Sequence, residues 1–140
     1  MAGVAAGGPD APGQGPSRDG LANEFLVGEQ SPTIIQAQFA AAARDTGNTG
    51  YTYTLRKGLV VAKRTSDSKW YAYDNAGTAG DDVAKGILNN DINLRDRLGD
   101  EVDSLGTVVI TAHVDQAKLY GLDANGKTDL AKLITFAEDY

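Results

Sequence analysis

From Tyr51 onward the chain alternates short apolar runs with clusters of Gly, Asp, Asn and Ser, the spacing of a β domain. "YTYTLRKGLVVAKR" reads as two strand pieces around Gly58, the second from Leu59 to Arg64. "TSDS" follows as a turn and "KWYAYD" as the returning strand of a hairpin. "TVVITAHVD", β-branched and unbroken by Gly or Pro, is the clearest strand of the chain. In "VAKGILNNDINL", Val83, Ile87 and Leu88 would suit a helix, but Gly86 weakens one and Asn-Asn-Asp is turn chemistry. That segment therefore predicts a strand around Gly86 to Leu88. "RDRLGDEVDSLG", polar and of mixed charge, predicts an exposed loop. Near the end, Asn125-Gly126 predicts a turn and Thr128 or Asp129 a helix cap. Leu130, Leu133 and Ile134 stand at helical spacing after it.

The N-terminal third has a different character. Its first 20 residues hold six of the 17 glycines and three of the four prolines, a composition with little to bury and much entropy to lose, which predicts a disordered leader over residues 1–20. Residues 21–50 carry "EFLVG" and "TIIQAQF", and in the latter Ile35, Ala37 and Phe39 alternate with polar or opposite-facing positions, as in a strand with one apolar face. The pattern predicts an arm over 21–50 and one compact domain over 51–140; the 140 residues are too few for two cores.

Charge and composition exclude several functions. A net charge of −6 opposes phosphate neutralisation, so nucleic acid is not an expected partner. With no cysteine there is no disulfide framework, thiol nucleophile or Cys-ligated zinc. No apolar run approaches the roughly 20 residues that cross a bilayer, and the N-terminus lacks the order of a secretion signal, so a soluble protein without a membrane partner is expected.

Candidate chemistry is sparse. The glycines of "NAGTAGDDVAKG" end in two acids rather than in Lys-Ser/Thr, so a phosphate cradle fails. Asp74, Asn75, Asp81 and Asp82 are oxygen donors without the alternation of a calcium loop, and Asp123, Asn125 and Asp129 lack its terminal Glu; a turn and a helix cap explain them. His113, the sole histidine, shares a strand face with Asp115, but no recognisable nucleophile motif accompanies that pair. No cofactor, metal or small-molecule substrate is expected. Trp70, Tyr71 and Tyr73, with Tyr51 and Tyr53 upstream, offer more large side chains than one small interior readily encloses. Trp70 or Tyr71 is therefore expected at a subunit interface.

The order "RKGLVVAKR", "SKWYAYD", "AGDDVAKGIL", "GTVVITAHV" and "KTDLAKLITF" resembles the head decoration proteins of lambda-like tailed bacteriophages, over about Tyr51 to Phe136. The most specific stretches are Lys69 to Asp74 and Ala84 to Leu88. The resemblance implies a mainly β domain with short helices, of the β-clip-like bent-ribbon type, with a flexible N-terminal arm. It implies a structural protein, made in the host cytoplasm and carried on the capsid exterior of the virion. There it binds the major capsid protein of the expanded head as a homotrimer and stabilises the shell against the pressure of packaged DNA. Phe25, Leu26, Ile34, Ile35 and Phe39 are the arm residues expected to touch the capsid. The leader and the polar insert over 93–106 have no counterpart in the resemblance. Two alternatives remain open: a non-catalytic β binding module of a tail or cell surface, and a small hydrolase using His113 and Asp115.

Overall fold

A computed structural model describes residues 24–27 and 31–137. The leader expected over residues 1–20 lies outside the described residues. Among the described residues, eight strands and one short α-helix make a mainly β fold: β1 (Thr33–Phe39), β2 (Thr54–Leu55), β3 (Val60–Lys63), β4 (Trp70–Ala72), β5 (Gly86–Leu88), β6 (Ile92–Asn93), β7 (Ser104–Asp115), α1 (Ala124–Leu130) and β8 (Ile134–Ala137).

The β3–β4 hairpin pairs Val61 with Ala72 and Lys63 with Trp70. β5 joins the other edge of β3, and β7 then pairs with β5. β1 lies antiparallel to β7 from Thr33↔Thr111 to Phe39↔Ser104 and meets β4 in parallel at Phe39↔Trp70. The order β1-β4-β3-β5-β7 thus returns to β1 and closes a five-stranded barrel. β8 adds in parallel to β7 over Ala112–Asp115, and β2 pairs with β6 as a separate two-stranded ribbon. The β1–β7 register shifts between Thr33 and Ile34, which leaves Ile110 as the unpaired residue of a β-bulge.

Adjacent residues of the central strands enter different cores. Val61, Leu88 and Val108 point into the barrel with Phe39, Leu55 and Trp70. Their neighbours Val60, Ile87 and Val109 join an outer core with Phe25, Tyr73, Val114, Leu130 and Ile134. Burial on both faces explains why these strands read as continuous apolar runs instead of alternating.

Three expectations are corrected here. Residues 31–50 do not form an arm apart from the domain: β1 closes the barrel because Ala37 and Phe39 are buried only when it pairs with β7, so the compact unit begins before Tyr51. The helix begins earlier than the apolar spacing suggests. Asp123, not Thr128 or Asp129, is its N-cap and accepts from Gly126 N, so Asn125-Gly126 lies inside the helix and Ile134 belongs to a strand. The polar insert is a turn only in its middle, since Asn93 lies in β6 and Ser104–Gly106 open β7.

Candidate functional site

The residues expected to bear function divide between core and surface. Phe25 and Phe39 have no exposed area, Phe25 in the outer core and Phe39 in the barrel against Trp70 at 6.4 Å between ring centroids. Neither is presented to a partner, which corrects their assignment as capsid contacts. Leu26 is half-buried beside the outer core and bridged to Val114. Ile35 packs on the barrel core, while Ile34 is 43 % exposed and is the arm residue left facing solvent.

Trp70 and Tyr71 are both 8 % exposed within their own chain, so each spends most of its area on packing inside the fold. Two cores take up Trp70, Tyr71 and Tyr73, arginines cover three of the tyrosine rings, and Tyr51 stays 61 % exposed. The Arg64 guanidinium lies 3.7 Å from the Tyr71 ring centroid, and Arg56 and Arg95 cover Tyr120 and Tyr53 in the same way. The Tyr71 hydroxyl donates to Asp67 at 2.6 Å. This bond raises the Tyr71 pKa and lowers that of Asp67.

The Gly/Asp loop is braced from within. The buried Asp81 carboxylate accepts from Arg64 Nε at 3.2 Å and pairs with its Nη2 at 3.1 Å, while Asp74 Oδ1 accepts from Ala76 N. Asn75 Oδ1 accepts from Asn125 Nδ2 at 2.9 Å, which joins this loop to α1. Asp123 caps α1 and also accepts from the Tyr73 hydroxyl at 2.9 Å, and Asp129 accepts from Ala84 N at 3.0 Å. Asp82 is exposed. Among the described residues, no three His, Asp or Glu side chains converge as metal ligands. His113 is half-buried on β7, and Asp115 accepts from Ala117 N at 3.1 Å as the cap of a 3₁₀ turn, Gln116–Lys118. No helix among the described residues is long and apolar enough to cross a membrane.

Tyr73 reports on this bracing. Burial, and then its bond to Asp123, push its pKa from 10.0 up to about 12. Between those values the unfolded chain holds fewer protons than the folded one, so stability falls as pH rises across that window, on the order of 2 kcal/mol. Urea titrations at pH 9 and pH 12 should show this loss for the native chain and a smaller one for Tyr73→Phe. Equal losses would refute the coupling.

Two surfaces carry features that pattern reading missed. One is the entry of the chain into the fold. Asp115 N donates to Phe25 O at 2.8 Å and Val27 N to His113 O at 3.0 Å, which fixes the residues just after the leader against the end of β7. The other is a groove of about 370 Å³ lined by Val83, Ile110, Leu130 and Leu133, with Lys85 and Lys132 alongside. Only the exposed apolar Val83 and Leu133 could have signalled it from sequence, and they lie 50 positions apart.

Neither a protein-family model nor a curated protein sequence matches the chain.

Proposed function

We propose that this protein is a non-catalytic phage capsid decoration protein of the β-clip-like bent-ribbon type. It binds the exterior of the expanded icosahedral head as a homotrimer, contacts the major capsid protein, and holds the shell against the pressure of packaged DNA. The observation that carries the reading is the buried anchor at Phe25. Its side chain is enclosed in the outer core and its backbone is bonded to β7, so that residues 1–23 are attached to a closed barrel at a fixed point. Force applied to a segment bound to another protein would pass directly into the barrel. The sequence resemblance supports the same reading, and so does the use of Asp45, Asp81, Asp115 and Asp123 as braces and caps.

The arm of this reading is the leader alone, since β1 belongs to the barrel. Trimeric presentation of three leaders offsets the entropy that each loses on docking. Deleting residues 1–23 should leave the urea midpoint within the error of the native chain and lower occupancy on cognate expanded shells by at least tenfold. Undiminished occupancy after the deletion would remove the leader from the reading.

A further inference from the structure

Leu98 is the most exposed of the large apolar residues described, at 86 %. Scattered exposed leucines are ordinary, but this one is held outward by a built turn. Asp96 Oδ1 accepts from Leu98 N at 2.9 Å and from Asp100 N at 3.0 Å. Asp96 N donates to Asp100 O, and Gly99 N donates to Asp96 O. Gly99 has φ +85°, the left-handed conformation that glycine adopts without strain. Below the turn, Arg95 is bridged to Glu101, and Val102 N donates to Leu94 O. The result is a preorganised apolar knob with exposed Asp96 and Asp100 on either side and Arg97 next to it.

The groove beside α1 has the complementary character. Val83 and Leu133 are 41 % and 58 % exposed, and Ile110, the unpaired residue of the β7 bulge, is half-buried between strands. Its walls are pinned by the bond from Ala84 N to Asp129, and exposed Lys85 and Lys132 stand beside it. On a chain of net charge −6, lysines beside an apolar depression favour an acidic, apolar-tipped partner. The chain cannot insert its own knob, because the turn precedes Ser104 and the groove lies at Ile110, about 20 Å further along β7.

We propose that the Leu98 turn of one copy inserts into the Val83–Ile110–Leu133 groove of a second copy. The surfaces differ, so the contact is heterologous and propagates head to tail. Its closure as a ring of three rests on the decoration reading above.

The chain has no cysteine, so single cysteines can be placed at will. Full-length Leu98→Cys is mixed with full-length Leu133→Cys and treated with a short bismaleimide, in solution and on expanded shells. Tyr51→Cys replaces Leu98→Cys as the collisional control. The 98–133 product should exceed both homodimeric products and the control at least tenfold, and the doubly substituted chain should give covalent species that stop at three. No product above the control overturns the proposal; a ladder running past three keeps the contact and overturns its closure as a ring of three. The substituted positions are exposed, and matching urea midpoints confirm the fold. A chain that binds shells without cross-linking there loses only this contact. One that cross-links in solution and binds no shell keeps the contact and loses the decoration reading.

Discussion

Phe25→Ala lowers the unfolding free energy by about 3–5 kcal/mol, the range for removing a fully buried aromatic side chain. Phe25 is wholly enclosed with Val60, Ile87, Val109, Val114 and Leu130, and the bond from Asp115 N to its carbonyl, with that from Val27 N to His113 O two residues on, keeps the backbone there from moving inward to fill the space. The loss is a large part of the 5–15 kcal/mol typical of a domain. Trp70, the sole tryptophan and itself buried, is the reporter: its emission in urea should give a midpoint well below that of the native chain. A loss under 1 kcal/mol would mean that the leader's attachment point frays freely, and the anchor would carry no load.

Asp45→Ala has an effect of similar size by another mechanism. Asp45 is almost fully buried and receives Arg56 through two bonds, Nε to Oδ2 at 2.7 Å and Nη2 to Oδ1 at 3.1 Å, with Arg56 N at 3.3 Å. This pair ties the 40–53 loop to the end of β2, just before the turn into β3, and it raises the Arg56 pKa. Removing one partner of a buried pair leaves the other uncompensated, at about 3–5 kcal/mol. Arg56 retains some exposure and stacks on Tyr120 at 3.7 Å, so about 3 kcal/mol is expected. Adding Arg56→Met to Asp45→Ala should recover part of the loss, because no charge is then left unpaired. A double variant as unstable as the sum of the two single ones would show that the side chains act independently.

The local β signals of the chain were legible because they are chemically local. The β3–β4 hairpin, the Gly86–Leu88 strand and the long β7 follow from β-branched runs and the turn residues between them. Barrel closure was not legible, since it depends on β1 meeting β7 some 70 positions away, a pairing that no local pattern encodes. The start of α1 was misread for a tertiary reason. Gly126, a poor helix former, sits inside the helix where an added Cβ would come 3.0 Å from the Tyr73 ring, so close packing overrides propensity. The same blindness affected the site. Counting aromatics against one interior underestimated the room inside the fold, since sheets covered on both faces provide two interiors. Leu98 alone among polar turn residues was the available sign of a surface feature, and its meaning needed the turn's hydrogen bonds.

Binding of the intact chain to expanded and unexpanded DNA-free shells of its cognate capsid protein tests the decoration reading most directly. Sedimentation of shells with increasing protein should give saturable binding to the expanded form alone, ending at three copies for each threefold position. Absence of binding to either form, or equal binding to both, would contradict it.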